Sequence, residues 1–296
     1  MKKTLTILAI ACIAFVFTGC QKDGVYNPSK KISKIYYTST SGNKSLQEIW
    51  TWNGKLLDRI DFYSGGTVSY SYNFTYDGNR LTRMNNYANN RSVEYKYDGS
   101  HLSETNVFYS GSLEYIYKFS YKSGKLETMT CTSTGKGSNE KMEINPLTFV
   151  FGPEISQAIE KTQKILAAKN NRKSTYSETY KFTWENGEIS KCVVSYQEDG
   201  DYEEITTIFT YDKKKNPFSG AFVNFYIEEN VEDGCFSKHN IIKMDCTEME
   251  DGEIENWTIT YDYSYNKSNY PISRRSTEID GGQSYTGGLY EYEYLN

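Results

Sequence analysis

The sequence predicts an all-β protein: a soluble antiparallel meander of about sixteen to eighteen strands, curled or barrel-like. Three observations carry this expectation. Aromatic and polar residues alternate along most of the chain, short glycine turns punctuate the alternation, and a fixed spacing joins each last aromatic residue to an aliphatic one beyond the turn.

The chain opens with Lys2 and Lys3, an apolar run over 5–17 and then "FTGC". That run is shorter than the ~20 residues a spanning helix needs. A charged start, a short apolar core and small residues before a cysteine read as a secretory signal peptide over 1–19. The small pair before Cys20 resembles a bacterial lipobox, with Phe17 where leucine is usual, so Cys20 is the expected lipidation site. Acyl chains on one cysteine anchor a protein without any membrane segment in its body. "QKDG" after Cys20 resembles the surface-export signal of Bacteroidota lipoproteins. The expected location is the outer membrane, at the cell surface, with the periplasmic face as the alternative. Residues 20–30 read as a polar tether, and 31–296 as one domain.

The chain holds 28 tyrosines, a side chain that suits a pleated, half-buried surface. Tyr70, Tyr72, Phe74 and Tyr76 share one face of "SYSYNFTYD"; Ser69, Ser71, Asn73 and Thr75 share the other. The same period of two runs through Tyr115 to Tyr121, Tyr180 to Trp184, Trp257 to Tyr265 and Tyr290 to Tyr294, which marks strands with one aromatic face. An aliphatic residue stands five positions after each last aromatic: Leu57 after Trp52, Leu81 after Tyr76, Leu102 after Tyr97, Leu126 after Tyr121 and Ile189 after Trp184. Between them lie "NGK", "DGN", "DGS", "KSG" and "ENG", which supply the positive φ of a tight hairpin. "YDKKKNPF" (211–218) and "YNKSNYPI" (265–272) read as proline turns of similar length.

One segment breaks the pattern. In 153–169, Ile155, Ala158, Ile159, Thr162, Ile165 and Leu166 form a helical stripe, so a helix is expected there, against the aromatic concavity. A sheet this wide curls or closes; a two-layer β-sandwich is the alternative. An outer-membrane barrel would show lipid an apolar band, whereas the outer row here is Ser, Thr, Asn, Lys and Glu.

"YDGNRL", "YDGSHL", "YKSGKL" and "WENGEI" resemble the YD repeats of Rhs-type shell proteins. Together with the signal peptide, "CQKD", "YDKKKNPF" and "YPIS", the chain is similar to a family of Bacteroidota lipoproteins whose domain is described as porin-like. The resemblance implies lipid anchoring and a barrel-like sheet, and it brings no catalytic residues.

Loss of Lys2 and Lys3 with the signal peptide takes the formal net charge from −5 to −7. An acidic surface without a Lys/Arg stripe argues against nucleic acid. The acids gather in "QEDGDYEE" (197–204), "EENVEDG" (228–234) and "EMEDGEIE" (248–255). Read as loop tips, they place ligand binding at Asp199, Asp201, Glu203, Glu204, Glu248 and Glu250, because a β-scaffold tends to carry function on its loops. Calcium at Asp199, Asp201 and Glu203 is considered and not favoured. The spacing is not that of an EF-hand, since Thr210 stands where the last ligand belongs.

Four cysteines remain beyond Cys12 and Cys20; Cys235 and Cys246 are the candidate disulfide, with buried free thiols as the alternative. His101 reads as a solvated turn residue. His239 with Cys235 and Cys246 fits no zinc spacing, and neither histidine has a recognisable catalytic partner. GxSxG, GxGxxG and P-loop patterns are absent from the sequence. The expectation is a binding or scaffold protein for a glycan or protein partner, not an enzyme, with no cofactor and no metal. The alternative is a glycoside-processing enzyme built on paired carboxylates, which need to stand about 5–10 Å apart.

Overall fold

A computed structural model describes residues 23–88, 90–134, 177–198, 201–220, 237–250 and 252–295. Among the described residues sixteen strands follow the chain: β1 (Ile32–Thr38), β2 (Lys44–Asn53), β3 (Leu56–Ser64), β4 (Thr67–Asp77), β5 (Arg80–Asn86), β6 (Arg91–Asp98), β7 (His101–Tyr109) and β8 (Ser112–Lys122). Then come β9 (Lys125–Ser133), β10 (Ser177–Glu185), β11 (Glu188–Glu198), β12 (Asp201–Tyr211), β13 (Ile241–Glu250), β14 (Glu253–Tyr265), β15 (Pro271–Asp280) and β16 (Gln283–Tyr294). Every strand pairs with its sequence neighbours, and β1 pairs antiparallel with β16. The sheet is a closed up-and-down barrel. Closure leaves no free edge, which overturns the sandwich alternative. The expected helix over 153–169 and Cys20 lie outside the described residues.

The repeated spacing has a physical cause. At the ends of β2, β4, β6, β8, β10, β12 and β14 the ladder slips by one residue immediately before the last aromatic: Trp52, Tyr76, Tyr97, Tyr121, Trp184, Tyr211 and Tyr265. The bulge bends the strand and carries the aromatic tip across to the preceding hairpin. At five of the seven it donates to a backbone carbonyl at the start of the preceding return strand, whereas Tyr121 Oη donates to the Asp23 carboxylate and Tyr265 Oη to the Asp212 carboxylate. Tyr76 Oη donates to Leu57 O at 2.7 Å, Tyr97 Oη to Leu81 O at 2.6 Å, and Tyr211 Oη to Ile189 O at 2.8 Å. Trp184 Nε1 donates to Leu126 O at 2.6 Å, Trp52 Nε1 to Ile32 O at 2.7 Å, and Tyr294 Oη to Pro271 O at 2.6 Å. Most hairpins therefore grip the one before them, and the grip continues across the β1–β16 seam. We call this the near end of the barrel.

The near-end turns use two chemistries. Gly54, Gly78 and Gly99 take positive φ at the first turn residue, whereas Ser123–Gly124 and Asn186–Gly187 take it at both, as the two tight hairpin types require. A Cβ at Gly78 or Gly99 meets no atom within 4 Å. Gly78→Val and Gly99→Val should each lose about 1–2 kcal/mol to backbone strain alone. Thermal unfolding reads this, and parent-like melting for both variants would show that the turns impose no such conformation.

The same end is filled from inside by two segments. Asp23 is bound at the β4–β7 turns: its carboxylate accepts from Leu102 N and Tyr121 Oη, both at 2.8 Å, and Arg80 Nε donates to its carbonyl at 3.0 Å. From there the chain crosses the barrel floor, with Tyr26 buried against Trp50 and Trp52. Tyr26 Oη donates to Pro217 O at 2.8 Å. The stretch read as a tether is thus bound to the barrel from Asp23 onward.

"YDKKKNPF" departs from the expectation of a short proline turn. Among the described residues, the next strand after Tyr211 begins at Ile241. Asn216 holds the bend by accepting from Phe218 N at 2.9 Å, and Phe218 enters the core edge-on to Trp50 and Tyr292. "YNKSNYPI" does form its turn, with Asn269 at φ 64°.

The outer wall is polar. Thr128, Thr130 and Thr132 on β9, Thr179, Lys181 and Thr183 on β10, and Lys243, Asp245 and Thr247 on β13 alternate with buried positions. Ion pairs such as Lys96–Glu104 and Lys243–Asp245 lie across it. Charges in mid-wall would be costly against hydrocarbon; single apolar side chains such as Ile208 and Ile279 are exposed among them.

Candidate functional site

At the far end, the inner face of β10 to β15 carries carboxylates. Glu178, Glu203 and Glu248 are 2 %, 5 % and 7 % exposed. Glu203 and Glu248 lie on adjacent strands: Glu203 pairs with Glu250 and Tyr196, while Glu248 pairs with Ile205 and Glu255. Trp257 pairs with Asp280 and Ile259 with Glu278 on the same face. The acidic wall is flanked by aromatic rings, with Tyr180 Oη donating to Glu178 Oε2 at 2.5 Å. Burial pushes the Glu178 carboxyl up to about 7, opposed by that hydrogen bond.

These positions correct the reading of the acidic clusters as solvated loop tips. The runs extend into strands, and a strand sends successive residues to opposite faces. Glu203 points inward. Glu204 is on the outer wall, where Tyr202 Oη donates to it at 2.6 Å, so the two do not form a carboxylate pair. Glu203 and Glu248, on one inner face, are brought together instead. Asp201 opens β12 opposite Glu198, and Glu250 ends β13 opposite Glu253. Asp199 and Cys235 lie outside the described residues. Cys246, like Cys131 and Cys192, is a buried free thiol, 3.8 Å from Thr207 Oγ1. Burial pushes its thiol up to about 12, so it has no thiolate character. Among the described residues no group of His, Cys, Asp and Glu is arranged to hold a metal ion.

Three interior residues escaped sequence reasoning. Glu48 on β2 is 0 % exposed; Trp50 Nε1 donates to its Oε2 at 2.6 Å, and Oε1 has no hydrogen-bond partner. Burial drives its carboxyl up to about 8, less the lowering by Trp50. Glu178 is the second. Both share the parity of the aromatic row, Glu48 with Trp50 and Trp52, Glu178 with Tyr180 and Phe182. The alternation itself therefore held the signal. Arg274 on β15 is the third, 1 % exposed, its guanidinium 5.0 Å from the Tyr261 ring and 5.2 Å from Tyr290.

Both histidines have structural partners. His239 Nδ1 stands 2.8 Å from Glu188 Oε1, and Lys238 N donates to Glu188 Oε2 at 3.0 Å. His101 is half-buried rather than solvated, stacked on Tyr121 at 4.3 Å. Both lie at the near end, away from the acidic wall.

No protein-family model matches the chain, and no curated protein matches it. A solved structure does: the crystal structure of a porin-like protein from Bacteroides uniformis. The likeness covers 92 % of this chain and 100 % of that one, with a TM-score of 0.51 and 12 % identity. The fold is porin-like. At that identity the likeness extends to the fold alone.

Proposed function

We propose that this protein is a cell-envelope binding protein, tethered to the outer membrane through a lipid on Cys20, that takes a glycan on its acidic and aromatic inner wall. The observation that carries the reading is the convergence of Glu178, Glu203 and Glu248 on one face of the barrel, with Trp257 and Tyr180 among them. Carboxylates accept hydrogen bonds from sugar hydroxyls, and aromatic faces give sugar rings a flat apolar partner. The amino-terminal signal, the porin-like fold and the hydrophilic outer wall support an anchored barrel with water on its outside. The second half of the chain carries the binding residues; the first half supplies architecture.

A glycan-array screen of the mature protein tests this. A charged hydrogen bond is worth about 1.5–3 kcal/mol, so Glu203→Gln with Glu248→Gln should weaken any glycan found by about tenfold or more. Undiminished binding by the double variant would remove the acidic wall from the site.

The enzymatic reading keeps one specific support. Diagonal neighbours on adjacent strands stand about 7–8 Å apart, within the span of a glycosidase carboxylate pair. Release of reducing ends from an array ligand, abolished by either single Glu→Gln change, would replace binding with hydrolysis.

A further inference from the structure

The two ends of the barrel differ in charge. At the near end, the chain after β12 and the turn after β14 bring together Lys213, Lys214, Lys215, Lys238 and Lys267. Lys215 N donates to Asn269 O at 2.9 Å, Asn216 N donates to Lys238 O at 3.1 Å, and Lys214 Nζ donates to Asn269 Oδ1 at 2.9 Å. These bonds tie the segments into one surface, on which Lys213, Lys215, Lys238 and Lys267 are exposed. The acid among them, Asp212, is engaged inward by Lys214 N, Asn240 and Tyr265. Neighbouring Glu188 is buried and engaged by His239 and Lys238 N. Asp77, Asp98 and Glu185, exposed at this end, stand on other turns, and Asp58 on β3 and Glu293 on β16, the latter paired with Lys34, stand on other hairpins; Asp262 is exposed on the outer wall of β14, three residues before its end. The far end carries Glu253, Glu255, Glu278 and Asp280 instead.

The amino terminus leaves from the same near end. Asp23 is fixed at the turns between β4 and β7, and the three peptide units back to Cys20 reach at most about 11 Å. Those turns and the lysine surface stand eight strands apart in the sixteen-strand ring, on opposite sides of it. We propose that the near end of the barrel rests on an anionic lipid surface, with the lysines contacting headgroups across the ring from the amino-terminal tether. This deepens the anchored reading and rests on it for the position of the acyl chains. Polybasic surfaces add to acyl anchors in this way, and screening confines the attraction to close contact. Two contacts on opposite sides hold the barrel axis upright, and the acidic far end faces away from the membrane.

Lysine acetylation followed by mass spectrometry, on the mature protein bound to vesicles, tests the docking. On vesicles containing phosphatidylglycerol, Lys213, Lys215, Lys238 and Lys267 should react several-fold more slowly than on phosphatidylcholine alone. Lys44, at the far end, should be unchanged, and added salt should reverse the protection. Equal rates on the two vesicle types, or protection that extends equally to Lys44, would overturn the proposal. The intact mass of the mature chain reports separately on the tether. A chain without acyl groups whose lysines are still protected removes the anchor and keeps the docking. An acylated chain with unprotected lysines does the reverse.

Discussion

Glu48→Gln should stabilise the protein at neutral and alkaline pH and have no such benefit near pH 4.5. Burial holds the folded-state carboxyl at about 8, against an ordinary value of 4.5. Below 4.5 both folded and unfolded chains carry the proton, and the buried group is neutral in each. Between 4.5 and 8 the unfolded chain releases its proton while the folded one keeps it, so stability falls as pH rises, by about 1.4 kcal/mol per unit. The accumulated loss is about 3 kcal/mol at pH 7 and about 4 kcal/mol at pH 8, where the folded group itself begins to ionise, as an order of magnitude. Glutamine keeps the shape and the acceptor for Trp50 Nε1 and does not titrate. Denaturant unfolding of both chains from about pH 5 to pH 8 should therefore show the variant's advantage growing with pH. A difference that stays constant over that range would mean Glu48 is ionised in the fold. Glu178, held at about 7, should give the same sign over a narrower window.

That buried acid also shows where the sequence stops being legible. Strand existence and hairpin turns were readable, because alternation and positive-φ glycines are local properties. Closure was not: whether β1 meets β16 depends on curvature added at each bulge, and the bulges leave no residue signature beyond the aromatic at which they occur. Each bulge also breaks the period of two. On the return strands the inward positions advance by three, from Leu57 to Ile60, Leu81 to Met84, Leu102 to Thr105, Ile189 to Cys192 and Pro271 to Arg274. Strict alternation places Thr105 and Arg274 outside, where a polar residue raises no question. The acidic clusters failed for a related reason. Glycine beside acid reads as a turn, yet Glu203 and Glu248 stand on inward positions of their strands, where register alone decides which face they occupy.

Phe218→Ala should cost about 3–5 kcal/mol, the range for deleting a buried phenylalanine ring. Proline and glycine after 216 made this stretch look like a connection of no consequence, but Phe218 is 1 % exposed. Its ring meets Trp50 and Tyr292 edge-on, at centroid distances of 6.1 Å in both cases, and such pairs add to the area term. Pro217 beside it accepts the Tyr26 hydroxyl, so the ring fixes the segment on which the amino-terminal stretch is seated. Removing it leaves a cavity between Trp50 and Tyr292 and loosens the support beneath Tyr26. Phe218→Leu conserves most of the volume and should cost less than about 1.5 kcal/mol. Chemical denaturation of the two variants beside the parent separates a filled core from an ordinary turn. A loss below about 1 kcal/mol for alanine, matched by leucine, would return the motif to the turn it resembles; a large loss for alanine alone makes Phe218 the residue that closes the floor of the barrel.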